Sequence, residues 1–133
     1  MSESLQRLQS DHIDLIQYHE NIRLEYPDRF FAVNDPLEAL MEAKKAGEIR
    51  YVCFTGHKDP LVHLRMLDSA LQHNFHFDTC QMPFNAMDAH FRSFGRMVLP
   101  KLVELGIGVL GMKSMGDGNL LRSGLVTPVE RLH

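Results

Sequence analysis

The sequence predicts an α/β fold: parallel strands alternating with helices, amounting to about half of a (β/α)8 barrel. Three observations carry that expectation. Four short apolar runs recur at intervals of about thirty residues. A helical stretch lies between each pair of runs. Polar residues stand at the end of every run. Strand, helix, strand at such spacing gives βαβ units and a parallel sheet. Polar chemistry at the C-terminal ends of successive strands is the barrel arrangement. An open doubly wound dinucleotide domain should show G-x-G-x-x-G after its first strand, and no such string follows the first run.

The runs are Ile13–Tyr18 (IDLIQY), Ile49–Phe54 (IRYVCF), Phe77–Met82 (FDTCQM) and Ile107–Met112 (IGVLGM). Each is strand-length and largely apolar, with β-branched or aromatic residues. Asp35-Pro36-Leu37-Glu38 reads as a capping box with proline at the first helical position. Leu37, Leu40 and Met41 then form a stripe at helical spacing, and Gly47 ends the helix. The next helix opens at Asp59-Pro60 and carries Leu61, Leu64, Leu67 and Leu71. A third runs up to Glu104-Leu105-Gly106, where Pro100 implies a late start or a kink. Thr127-Pro128-Val129-Glu130 opens one more. Ser2–Ser10 reads as the tail of a helix with no strand before it. The expected organisation is a single partial barrel domain over residues 1–133.

Composition bounds the function classes. The 133 residues are 44% hydrophobic and 23% charged, an ordinary globular balance. No apolar run approaches the ~20 residues of a membrane span, and the polar N-terminus has no signal-peptide core, so cytoplasmic residence is expected. Net charge is −3 with dispersed basic residues, which gives no footprint for nucleic acid. Cys53 and Cys80 are far apart and outside any C-x-x-C pattern, so buried reduced thiols are expected. Histidines such as His63, His73 and His76 lack metal-ligand spacing, and no metal site is predicted. The strand-end polar residues are His19-Glu20, Thr55-Gly56-His57-Lys58, Gln81 with Asn85, and Lys113. His19, Glu20 and His57 could approach one ion, which keeps a metal-dependent hydrolase as a remote alternative.

Four ordered strings resemble the aldo/keto reductase family along essentially the whole chain: SLQRLQSDHIDLIQYHE, EALMEAKKAGEIRYVCFTGH, FDTCQMPFN and LVELGIGVLGMKSMGDGNL. They resemble the family's fourth to seventh strands with their flanking segments. GH after the second run and GMK after the fourth resemble a bacterial or archaeal branch. The resemblance implies an oxidoreductase that reduces carbonyls to alcohols with NADP or NAD. It implies that His19 matches the active-site histidine at the substrate carbonyl. Thr55 and Gly56 fall where many members carry a Ser-Asn pair against the nicotinamide carboxamide, and glycine cannot supply the asparagine amide. Gln81 matches the glutamine at the same carboxamide. Met112 falls where many members place a tyrosine under the nicotinamide ring, and Lys113 falls near the cofactor phosphates. Asn85 could also reach the cofactor, although capping the next helix is the plainer role.

The resemblance also implies an omission. The family's proton-donating tyrosine, with the lysine and aspartate that tune it, belongs to strands before the first residue here. Tyr18, Tyr26 and Tyr51 do not match its motif. The expectation is therefore a truncated reductase, with a non-catalytic barrel fragment or interaction module as the alternative. The partners expected are the nicotinamide cofactor and a small carbonyl substrate once the barrel is complete. Self-association through the open strand edges is expected as well.

Overall fold

A computed structural model describes residues 2–32 and 36–125. It forms one four-stranded sheet, all parallel, in the order β1-β2-β3-β4. The strands are β1 (Ile13–Tyr18), β2 (Ile49–Thr55), β3 (Thr79–Pro83) and β4 (Gly108–Met112). Seven helices accompany them among the described residues: α1 (Ser2–Leu8), α2 (Tyr26–Phe30), α3 (Pro36–Lys45), α4 (Pro60–Gln72), α5 (Phe94–Met97), α6 (Leu99–Glu104) and α7 (Asn119–Arg122). The parallel order in chain sequence agrees with the fold expected.

Side-chain parity sorts the strands into two faces. Val52, Phe54, Cys80 and Met82 are fully buried and belong to one core cluster with Leu40, Ala43, Met66, Leu67, Ala70, Phe94, Val98 and Leu102 of the helices. The residues between them turn to the opposite, helix-free face. Register makes this face continuous: Gln17 faces Cys53, Cys53 faces Thr79, and Thr79 faces Gly108. One row higher, Thr55, Gln81 and Leu110 lie side by side.

Strand and helix boundaries depart from expectation in instructive ways. The third strand starts two residues late, at Thr79. Phe77 instead plugs the core at 0% exposure, with ring centroids 4.6 Å from Phe54 and 5.6 Å from Phe30. Asp78 then takes over the pairing: its Oδ2 accepts from the Val52 amide at 2.8 Å and its own amide donates to the Val52 carbonyl at 2.9 Å. On α4 the inward stripe is Val62, His63, Met66, Leu67 and Ala70, whereas Leu61 and Leu71 of the expected set are exposed. Met41 of α3 is likewise exposed while Leu40 is buried. Asp59 caps α4 by accepting from the Leu61 amide at 3.0 Å, a contact that satisfies one of the free donors of the first turn. The stretch before β4 breaks at Val98 into α5 and α6, with Pro100 in the opening turn of α6. Gly47 and Gly106 end their helices at φ +78 and +67, the left-handed exit that glycine permits. The capping residue Asp35 and the segment Thr127–His133 lie outside the described residues.

Candidate active-site rim

The C-terminal ends of parallel strands share one side of the sheet, so the polar residues found there form a rim. Gln81 sits between the buried Cys80 and Met82 and therefore faces away from the helices. It is half-buried, and its carboxamide makes no hydrogen bond among the described residues. A glutamine in an apolar strand needs a partner when enclosed, so a free carboxamide on the concave face is an open recognition group. Thr55 is its register partner but is only 2% exposed. Met112 ends β4 opposite Pro83, half-buried on the same face.

His19 follows β1 directly and is exposed. It lines a depression of about 320 Å³ with Tyr18, Tyr26, Arg29 and Pro36. That hollow belongs to the free edge of β1 and does not include Thr55, Gln81 or Met112. Thr55, Gln81 and Met112 thus stand at the C-terminal ends of β2, β3 and β4, and His19 directly follows β1.

Charge is organised on the loops just above. His57 Nε2 lies 3.5 Å from Glu20 Oε1, and Lys113 Nζ lies 2.8 Å from Asp117 Oδ2. The Lys113 ammonium, hydrogen-bonded to Asp117, holds that carboxyl below the usual carboxylate range, with His57 a lesser contributor. An anion seeking Lys113 would have to displace Asp117. Glu20, two residues past β1, and Lys113, directly after β4, adopt φ +53 and +55, a left-handed conformation uncommon outside glycine. Asn85 Oδ1 accepts from the Met87 amide at 3.0 Å, so it closes a turn into the next segment. Among the described residues no group of three His, Cys, Asp or Glu side chains is placed to hold a metal ion. His19 does not join the Glu20–His57 pair, so the hydrolase alternative gains no geometry. Cys53 and Cys80 are free, buried thiols, and burial pushes both upward from the ordinary thiol range.

Two residues matter here that the sequence did not single out. Asn21 is fully buried; its Nδ2 donates to the Tyr18 carbonyl at 2.9 Å and the Thr55 carbonyl at 3.1 Å, and its amide donates to the same Thr55 carbonyl at 2.8 Å. Asn21 Oδ1 is buried without a hydrogen-bond partner. His63 is also fully buried, between Phe54 and Phe94 at 5.2 and 5.1 Å, with Nε2 3.5 Å from the Gln81 carbonyl. Burial lowers its pKa from 6.5 to about 4, opposed by the Gln81 and Asp59 backbone carbonyls. Gly56 lies between the two. A Cβ there would stand 2.3 Å from the Asn21 carbonyl oxygen and 2.9 Å from His63 Cε1. Its amide points to the Gln81 carbonyl at 3.4 Å. The part Gly56 plays in this geometry is to let β1, β2 and α4 close together under the rim. The signal was present as a glycine immediately after a strand, but its partners come from distant segments.

The aldo/keto reductase family model matches residues 1–127. Among solved structures, an aldo/keto reductase from Brucella melitensis superposes with a TM-score of 0.66 at 14% identity, covering 86% of this chain and 40% of that one. A Pseudomonas aeruginosa structure assigned to the aldo-keto reductases gives 0.58 at 22% identity, covering 83% and 37%. At these identities the superpositions speak to the fold. The chain spans about two fifths of the length of either neighbour. No curated protein matches the sequence.

Proposed function

Because this chain belongs to the aldo/keto reductase family, we propose that it is the cofactor-facing part of an NAD(P)H-dependent carbonyl reductase and that these 133 residues do not turn over substrate by themselves. The observation that carries the proposal is Gln81: a carboxamide without a partner, on the concave face, beside Thr55 in register. A carboxamide both donates and accepts, which suits the complementary pair on a nicotinamide carboxamide. Met112, half-buried at the end of β4, offers a polarizable apolar face to a flat ring. Thr55 and Gly56 are proposed to floor the site at the same level, since the Thr55 carbonyl and the Gly56 amide are already engaged by Asn21 and Gln81, and Lys113 is the cation proposed for a phosphate, in competition with Asp117. His19 is the residue proposed to meet the substrate carbonyl. When bound, NADPH or NADH supplies the hydride.

The proton is proposed to come from a residue outside these 133. Tyr51 is a concave-face residue level with Leu15, low on the sheet, and Tyr18 packs on Phe30 at 4.6 Å. Tyr18 and Tyr26 line the His19 hollow but do not match the family's proton-donor motif. A tyrosine with a reference pKa near ~10 needs charged neighbours to act as an acid at neutral pH. Without a positioned acid, carbonyl reduction forgoes the ~10²–10⁴-fold of general acid catalysis. The proposed setting is cytoplasmic; among the described residues no helix is long and apolar enough to cross a membrane.

The test is NADPH oxidation by the 133-residue chain, followed by absorbance, against a panel of aromatic aldehydes and quinones. A full-length family member serves as the positive control. No turnover is expected, while nicotinamide binding measured by fluorescence should weaken in Gln81→Ala. A turnover of ~1–10³ s⁻¹, abolished by His19→Ala, would refute the missing-acid reading.

A further inference from the structure

The pairing of β1 with β2 ends at Tyr18 opposite Phe54. The chain then leaves β2 for His19 and Glu20 and returns to it at Asn21, whose backbone amide donates to the Thr55 carbonyl at 2.8 Å. His19 thus rides on a short excursion anchored at both ends. Glu20 takes the φ of +53 that turns the chain back. The Asn21 side chain adds a strut between those ends. Its Nδ2 donates to the Tyr18 carbonyl at 2.9 Å and to the Thr55 carbonyl at 3.1 Å. One NH2 group therefore joins the carbonyls that close β1 and β2.

We infer that Asn21 is a positioning residue: its NH2 group fixes the turn that carries His19 against the end of β2, and so sets the spacing between His19 and the row formed by Thr55 and Gln81. The use made of that spacing rests on the reductase reading; the strut itself does not.

Three observations favour this role over space-filling. Asn21 is fully buried, and its Oδ1 has no hydrogen-bond partner among the described residues. A buried acceptor left unpaired is costly, so an apolar side chain of the same size would serve a core better. What the position uses is the NH2 end. Next, the Thr55 carbonyl already receives the Asn21 backbone amide. The second bond to it is not needed to satisfy that oxygen, and its effect is to hold the side chain between two strands. Finally, Gly56 is matched to the arrangement. A Cβ there would stand 2.3 Å from the Asn21 carbonyl oxygen, so the close approach of Asn21 to β2 leaves no room for a side chain. Under the reductase reading, His19 serves the substrate carbonyl and Gln81 the nicotinamide. Their separation then governs hydride transfer, where a misplacement of about 1 Å costs roughly 10²-fold in rate.

The experiment takes the 133-residue chain at neutral pH. Asn21→Leu and Asn21→Asp keep the size of the side chain and remove both donors. Nuclear magnetic resonance should show the His19 imidazole and the His19 and Glu20 amides shifted in both variants. The Asn21 backbone amide should exchange with deuterium roughly tenfold faster. The amide shifts of Met66, Leu102 and Ile107 should stay in place. His19 signals that do not move in Asn21→Leu overturn the inference, since a residue that only fills space is replaced well by leucine. Shifts spread equally over α4 and α6 overturn it too, because Asn21 would then support the core at large. If neither variant folds, the native chain decides. The Asn21 side-chain amide protons should exchange roughly tenfold more slowly than those of the exposed Asn119, and equal rates would dismiss the strut. Nicotinamide affinity unchanged in Gln81→Ala is the separate sign that the reductase reading has failed, and it leaves the strut standing.

Discussion

Replacing His63 with methionine should remove a defined part of the protein's acid sensitivity. His63 is fully buried on α4 between Phe54 and Phe94, and its pKa falls from 6.5 to about 4 because burial disfavours the charged ring. Between those two values the unfolded chain holds a proton on this imidazole and the folded chain does not. The unfolded state then binds more protons, so stability rises with pH across the window and is lost as pH falls from about 6.5 to 4. Below the folded value both states are protonated and the loss is complete. A separation of roughly two and a half pH units, at ~1.36 kcal/mol per unit, amounts to about 3 kcal/mol. Urea unfolding followed by circular dichroism, at a series of pH values from 7.5 to 4, is the assay. The two proteins differ only at this position, so the difference between the two pH profiles isolates His63. Methionine at this position should lower stability at neutral pH and flatten the profile by about 3 kcal/mol over that window. Parallel profiles would mean that His63 is solvated or charged in the folded protein, and the reasoning from burial would be wrong.

Two further substitutions probe the ground beneath the rim. Gly56→Ala puts a methyl 2.3 Å from the Asn21 carbonyl oxygen, a backbone atom that cannot swing away, so a loss of ~1–3 kcal/mol is expected in the urea midpoint; a change under ~0.5 kcal/mol would show that the β1 and β2 ends are loosely joined. Asp59→Ala removes the cap on the Leu61 amide and the 2.8 Å pair with Arg92 and should cost about 1 kcal/mol, whereas Asp59→Asn should keep most of it, since the amide oxygen still caps; equal losses would assign the effect to Arg92.

What the sequence made legible was periodic or punctuated. β1 needed only its apolar run, α4 its Asp-Pro opening, and the helix exits at Gly47 and Gly106 their glycines. Gln81 was legible because a carboxamide interrupts an apolar strand. Phe77 and Asp78 misled because both lie in an apolar run of strand length. In the fold one ring fills the core and one carboxylate stands in for a ladder carbonyl, and neither choice has a local signature. Leu61 and Leu71 misled for a related reason: the four leucines look alike in sequence, yet Leu67 faces in while Leu61 and Leu71 face out, and only the sheet beneath decides which side is in. Asn21 and His63 were invisible because their partners, Thr55 and Gln81, are 34 and 18 residues away in sequence.

The segment after β1 is staked down at two points. Asn21 holds it to the Thr55 carbonyl, and Phe30, nine residues on, is sunk at 0% exposure against Tyr18, Phe31, Phe75 and Phe77. The conformational entropy of that loop is therefore spent during folding, before any ligand arrives. A molecule docking at the site proposed for His19 would meet a preorganised wall, and its affinity would be spared the ordering cost that a floppy loop would levy. The same fixity sets a limit on tolerance. A molecule too bulky for the hollow bounded by Tyr18, Tyr26 and Arg29 cannot push this loop aside, so breadth of recognition has to come from the more exposed far side of the rim, around Phe84 and Met115.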